Sequence, residues 1–250
     1  MDIGIQSNLW GPEYHREKMP QMLQEIAKAG YAGIEIGAHR FENLDHPADF
    51  LSQVQDAGLH VSGIHTLVKF YDSGNLDYAR KAAEFTKAVG SQHMMVSGEA
   101  KEGKTQEDYK ALADIFNQVG QICQDLELTY CYHNHWYEIE NQQAELRALC
   151  ELTDPDLVSL CMDIGWVERA GYAPADISSE FLDRIAYFHL KDTQGSKFVD
   201  LGEGTVDFPT WYAAVAGKGN FYLTHERDEV LPKAFESANN SRTYLRTIGL

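Results

Sequence analysis

The stretch Thr105–His135, TQEDYKALADIFNQVGQICQDLELTYCYHNH, contains one whole helix-to-strand unit and sets the reading of the rest of the chain. Thr105 with Asp108 three residues on resembles a capping box, an Asp standing where Glu or Gln is usual. Apolar residues then recur at three- and four-residue spacing as far as Leu126, the period of one helix face. Leu128–Tyr132 is apolar enough to be covered on both sides, as strands of a parallel sheet are. It runs into His133 and His135, whose spacing of two puts both on one face of an extended segment.

The alternation continues in both directions. Strands are expected at Ile3–Gln6, Gly33–Ile36, Val61–His65, Met94–Ser97, Thr129–His133, Ser159–Met162, Ala186–Leu190 and Phe221–Thr224. Helices are expected over 19–30, 47–58, 75–90, 105–126, 142–153, around 175–183, 208–219 and 232–248. Gly30, Gly58 and Gly90 each stand just past an apolar stripe and just before a strand, where a left-handed C-terminal cap belongs. Strict alternation implies a parallel sheet with right-handed crossovers. Eight units in 250 residues match a single closed (β/α)8 TIM barrel over residues 1–250, of the α/β class. A doubly wound open sheet would carry a Gly-rich phosphate loop after an early strand, and none is present. Leu201-Gly202-Glu203-Gly204 follows no strand that leads into a helix and reads as a loop.

With 44% hydrophobic and 24% charged residues the chain can bury a large core. Its 38 Asp and Glu against 21 Lys and Arg give a formal net charge of -17, which repels nucleic acid and anionic membranes. The first residues lack the features of a signal peptide, and no apolar run approaches the ~18 residues of a membrane span, so a soluble cytoplasmic protein is expected. Cys123, Cys131, Cys150 and Cys161 show no CxxC spacing and fall inside predicted helices and strands, as reduced core thiols do.

In such a barrel the C-terminal strand ends share one cavity, so a polar residue there is a candidate for chemistry. Glu35, His65, Glu99, His133, His135, Asp163, His189, Lys191, Glu226 and Asp228 occupy those positions. His133, Asp163, His189 and Glu226 are metal-ligand types, and Asp163 ends a mostly apolar strand where an unpaired carboxylate would be costly. Of the His133/His135 pair, one can hold metal while the other moves a proton. Glu138, three past His135, can either reach back to the metal or cap the loop. Lys191 shares a strand face with His189 and can neutralise an oxyanion. Glu35 and His65 are assigned to substrate binding on the opposite wall. Trp10, Trp136 and Trp166 follow strands and can stack on sugar rings, with Trp10 and Trp166 taken as substrate-binding candidates.

Taken together, these segments resemble the xylose-isomerase-like barrel proteins, often called sugar phosphate isomerases/epimerases. The resemblance covers essentially the whole chain. It is densest at Tyr132-His133-Asn134-His135, Asp154-Pro155, Met162-Asp163-Ile164-Gly165-Trp166, Phe188-His189-Leu190-Lys191-Asp192, Gly202-Glu203-Gly204-Thr205-Val206-Asp207 and His225-Glu226. It implies one divalent ion, of Mn, Co, Mg or Zn type, held by a Glu, an Asp, a His and a second Glu from strands five to eight. Those roles fall on Asp163, His189 and Glu226. At strand five this chain has His133 where many members have Glu, which leaves the fourth ligand between His133, taken first, and Glu138. His135 matches a base found in dehydratase members.

The reading is of a metal-dependent isomerase or epimerase that removes a proton α to the carbonyl of a ketose or keto-sugar, with His135 as base and Lys191 and Glu138 assisting. The close rival is a lyase of the inosose- or dehydroshikimate-dehydratase type, or an eliminase of 3-keto-glycosides. A metal-dependent endonuclease is disfavoured by the acidic charge. A noncatalytic sugar-binding barrel is the reading from outside enzymology. No Gly-rich or Arg-rich phosphate cradle stands out near strands seven and eight. The expected partner is a small sugar or cyclitol. Barrels of the resembled family often dimerise, so a homodimer is the assembly it suggests.

Overall fold

Side chains alternate across each strand, and eight strands whose faces are both apolar can bury them by closing on themselves inside a layer of helices. The computed structural model describes residues 2–42, 44–71 and 76–250, and shows this closure. The barrel strands are β1 (Ile3–Gln6), β2 (Gly33–Gly37), β3 (His60–Leu67), β4 (His93–Ser97), β5 (Thr129–His133), β6 (Ser159–Asp163) and β7 (Ile185–Leu190). A short antiparallel hairpin follows, β8 (Asp192–Gln194) and β9 (Lys197–Val199), before the eighth barrel strand, β10 (Tyr222–His225). All neighbours in the barrel are parallel, and β10 closes it against β1.

Every predicted strand is present, with ends shifted by no more than two residues. Helices cover the outside as expected, and their caps are those the sequence writes. Thr105 accepts from the Asp108 N–H, and Asp108 accepts in return from the Thr105 N–H. Gly30, Gly58 and Gly90 have φ of 92°, 75° and 74°. Asn75, the first residue of the predicted fourth helix, lies outside the described residues, and that helix runs Asp77–Ala88.

Besides short helical turns and the helix Ile164–Arg169 after β6, three features went unanticipated. A helix, Gly11–Glu17, precedes the expected Met19–Ala29. The helical passage Trp136–Leu152 begins six residues early, with non-helical backbone from Glu140 to Gln143 between its halves. The hairpin β8–β9 is the third, too short to leave a periodic signal.

The register shifts twice, between Ile34 and Glu35 where β2 meets β3, and between Leu160 and Cys161 where β6 meets β7. An extra residue on one strand re-aims the side chains beyond it. Beyond these two shifts lie Glu35, His65, Asp163 and His189, all facing the barrel interior. The lower interior is filled by Tyr187, whose hydroxyl bonds Ser62 and Thr224, together with Met95, Cys131 and Cys161.

Candidate metal centre

The C-terminal ends of β5, β6, β7 and β10 bring His133, Asp163, His189 and Glu226 together, with one nitrogen or oxygen from each lying within 4.8 Å of the others. All four side chains are buried. His133 Nε2 lies 3.4 Å from Asp163 Oδ2 and 3.6 Å from Glu226 Oε2, and His189 Nδ1 lies 2.6 Å from Glu226 Oε2. The strand-end spacing thus converges on one point.

Local backbone prepares these groups. Asp163 caps the helix Ile164–Arg169, its Oδ1 accepting from the Gly165 and Trp166 N–H groups at 3.0 Å each, which leaves Oδ2 for the cluster. Gly165 is required there because a Cβ would strike the Lys191 backbone carbonyl at 2.7 Å. Asn134, between the two histidines, accepts from the Asp163 N–H and donates to its carbonyl, clamping the end of β5 to the end of β6. Sequence reasoning passed over Asn134. Its signal was its place inside the Tyr-His-Asn-His segment.

Lys191 is buried in the same cluster, with Nζ 2.8 Å from Asp163, 3.2 Å from Glu226 and 2.6 Å from Asp228. Burial works against its charge, but those three carboxylates hold its pKa above the ordinary lysine value. Burial would likewise raise Glu226 and Asp163, yet His189 and Lys191 hold Glu226 well below the usual range, and Lys191 and His133 lower Asp163. The Lys191 ammonium also lies 4.6 Å from the Trp166 ring centre, over a platform completed by Phe198 of the hairpin.

The donor set fits a divalent cation. His189 Nε2 lies 2.7 Å from Glu35 Oε2 and donates there, so Nδ1 is the nitrogen that faces the cluster. Burial works against charge on the ring, but Cys161, Glu226 and Glu35 hold its pKa well above the ordinary histidine value, and a bound cation would take the place of the Nδ1 proton. Among the described residues His189 Nδ1 and Glu226 Oε2 are buried atoms without a hydrogen-bond partner, 2.6 Å apart. Two such atoms at that separation need positive charge between them, a proton on the ring or a bound cation. Two carboxylates with two neutral imidazoles match the charge and softness of an Mn, Co, Zn or Mg type ion.

Several expectations are placed differently. Glu138 is fully buried and accepts from the His135 N–H at 2.7 Å as a helix cap, so His133 and not Glu138 stands in the cluster. Glu35, expected to bind substrate, is sealed from the cavity with both oxygens bonded to histidines. Trp10 is packed away with its Nε1 donating to Glu25 Oε2 at 2.6 Å, so it presents no face to a sugar. Trp166 does border the site, through Lys191 and His135. Glu99 turns to the surface beside Lys101 and Lys104. Arg227 points away from Glu226, toward Asp200 and the Phe198 carbonyl.

Above the cluster a cavity of about 150 Å³ is bordered by His65, Ser97, His133, His135, Glu226 and Asp228. His135 is the half-exposed imidazole of the group. Its Nδ1 meets the Tyr137 hydroxyl at 3.0 Å, and the two rings stack at 5.0 Å. Asp192, next to Lys191, accepts from the Gly202, Gly204 and Val206 N–H groups, joining the strand-seven motif to the glycine-containing loop. A Cβ at Gly204 would fall on that carboxylate.

Comparison with known proteins agrees with this architecture. The sequence model of the xylose isomerase-like TIM barrel family matches residues 23–247. Inosose dehydratase of Bacillus cereus strain AH820 is 29% identical over a 288-residue alignment that covers 98% of this chain and 96% of that protein. Inosose dehydratase of Geobacillus kaustophilus strain HTA426 is 29% identical over 209 residues, 76% of this chain and 67% of that one. A sugar phosphate isomerase/epimerase from Parabacteroides distasonis ATCC 8503 superimposes with a TM-score of 0.83 at 24% identity, covering 98% of this chain and 93% of that one. This chain belongs to the xylose isomerase-like TIM barrel family.

Proposed function

We propose that this protein is a divalent-metal-dependent enzyme that removes a proton α to the carbonyl of a small keto-sugar or cyclitol. One observation carries the reading: four buried ligand atoms converge beneath a cavity whose rim holds a half-exposed imidazole, His135. His133, Asp163, His189 and Glu226 would hold the ion, which when bound supplies the positive charge that polarises a carbonyl and acidifies the adjacent C–H. The cavity is well under the ~300–1,000 Å³ of drug-sized sites, which suits a compact polyol.

His135 is the base. For Nε2 to take the substrate proton, Nδ1 carries the ring hydrogen and donates it to the Tyr137 hydroxyl 3.0 Å away, while the Tyr137 ring stacks on the imidazole. Glu138 fixes the backbone at His135 and so positions the ring. Lys191, held protonated by its carboxylate neighbours, faces negative charge that develops on a substrate oxygen. Trp166 supports that ammonium from the side.

Of the outcomes open to the resulting carbanion we favour loss of a β-hydroxyl, which is dehydration. Strand five carries His133 instead of a second glutamate, so the paired glutamates of an epimerase are missing, and full-length relatives are named inosose dehydratases. Isomerisation or epimerisation of a ketose, our first expectation from sequence, is the alternative. The four cysteines are free, and among the described residues no helix is long and apolar enough to cross a membrane, which accords with the proposed cytoplasmic setting.

The test is incubation of the Mn²⁺-loaded protein with inososes and ketoses in D₂O, followed by NMR. Deuterium at a carbon α to the carbonyl with loss of a hydroxyl identifies dehydration. Deuterium with the hydroxyls retained identifies isomerisation or epimerisation. No exchange across the panel, from a protein that also fails to bind Mn²⁺ or Co²⁺, discards the reading.

A further inference from the structure

Behind the cluster, Glu35, His65 and Ser97 link the far nitrogens of its two histidines. Glu35 Oε2 lies 2.7 Å from His189 Nε2, and Glu35 Oε1 lies 3.0 Å from His65 Nδ1. His65 Nε2 lies 2.7 Å from Ser97 Oγ, and Ser97 Oγ lies 3.3 Å from His133 Nδ1. The path therefore runs from one cluster histidine to the other through three side chains of β2, β3 and β4, all buried.

Chemistry gives this path one direction. An ionised carboxylate only accepts hydrogen bonds, so His189 Nε2 and His65 Nδ1 must both carry hydrogens. A neutral His65 then has its lone pair at Nε2, and the Ser97 hydroxyl donates to it. Ser97 has a single hydrogen, so its oxygen accepts the next bond from His133 Nδ1–H. Reversing the sense would place a bare His65 Nδ1 against Glu35 Oε1 at 3.0 Å, acceptor against acceptor. Both ends of the chain come out alike: with a cation in place of any ring proton, His189 Nδ1 and His133 Nε2 are the nitrogens left to offer lone pairs, and these are the atoms that face Glu226 and Asp163.

We propose that Glu35, His65 and Ser97 form a one-way hydrogen-bond chain that sets the tautomers of His133 and His189 together, presenting two neutral imidazole lone pairs to one divalent cation. The proposal rests on the metal-dependent reading above and assigns the three as positioning residues. It also replaces the expectation that Glu35 and His65 bind substrate. Glu35, His65 and His189 could by type and proximity hold a second ion. Their donors and acceptors are already matched pair by pair, so one ion is expected per chain.

The test is titration of metal-stripped protein with Co²⁺, read by visible absorption and by the rise in thermal midpoint. Ser97→Ala breaks the chain at its middle, and ~10- to 100-fold weaker Co²⁺ binding is expected, with circular dichroism of the metal-free protein unchanged. Ser97→Thr keeps the hydroxyl and should restore the affinity. In the Zn²⁺-loaded protein, long-range ¹H–¹⁵N spectra should show hydrogen on Nδ1 of His133 and His65 and on Nε2 of His189. The opposite tautomer at any of the three overturns the proposal. Wild-type affinity in Ser97→Ala overturns it and leaves the metal site standing. Two equivalents of Co²⁺ bound per chain also overturn it. A wild-type protein that binds no Co²⁺ removes the metal reading itself, and this proposal with it.

Discussion

Two sides of the barrel mouth carry carboxylates and imidazoles at their strand ends, yet they differ in how their polar atoms are satisfied. On the wall of β2, β3 and β4, Glu35, His65 and Ser97 pair donor with acceptor at each contact. On the wall of β6, β7 and β10, Asp163, His189 and Glu226 crowd two carboxylates and an imidazole nitrogen around one point beside the Lys191 ammonium, more acceptors than that ammonium can satisfy. A buried acceptor facing an acceptor costs free energy unless a cation joins them. Identity of residues is therefore a poor guide to a ligand; unpaired geometry is a better one.

The contrast between the two walls is lost most completely if Asp163→Asn binds Co²⁺ as tightly as wild type. That variant removes one of two cluster charges, and Co²⁺ affinity is expected to fall by more than ~100-fold, beyond the loss of an outer-sphere partner. Isothermal titration against wild type measures it, with activity lost in parallel. His135→Gln sharpens the contrast between holding the ion and moving the proton. Co²⁺ affinity should be unchanged while the rate of solvent deuterium exchange into substrate falls ~10²–10⁴-fold. Full exchange in that variant would transfer the base role elsewhere.

His15 offers a histidine satisfied by its own surroundings, next to the first wall. Its Nδ1 bonds the Gly11 carbonyl at 2.6 Å and its Nε2 meets Ser7 Oγ at 2.9 Å. Burial, aided by nearby Arg40 and His39, depresses its pKa to about 4 although the Gly11 bond opposes the shift. The folded state then binds fewer protons than the unfolded chain between pH 6.5 and 4. The contribution is full above pH 6.5 and is lost as the pH falls, by about 3 kcal/mol at most. Urea unfolding across that range should show the slope, and His15→Gln should flatten it.

Glu35→Gln places an amide hydrogen against one of two histidine donors. The metal-free protein should lose ~1–3 kcal/mol in the same urea assay, whereas a substrate-binding role would leave stability untouched. The smallest effect is expected at Trp10→Phe, where loss of the bond to Glu25 costs about 1 kcal/mol and KM stays constant. A raised KM would return Trp10 to the substrate site.

Helix and strand positions were legible because each is written locally: the capping box at Thr105, the C-terminal glycines, the apolar runs before His133 and Asp163. Placement of His133, Asp163, His189 and Glu226 at strand ends followed from counting eight units. The hairpin β8–β9 was not legible, since three-residue strands carry no period. Nor was Ser97, a residue whose type says nothing until His65 and His133 are seen on either side of it.

By itself the sequence determined the eightfold alternation and which residues stand where the strands end, because hydrophobic period and capping are properties of neighbours along the chain. The tertiary structure alone decided which of those residues face one another. Two register shifts of a single residue aim Glu35 at His65 and Asp163 at the His189 strand, and closure of β10 onto β1 brings residues 35 and 226 to opposite sides of one imidazole. Such contacts depend on shear and ring closure, which no local period records.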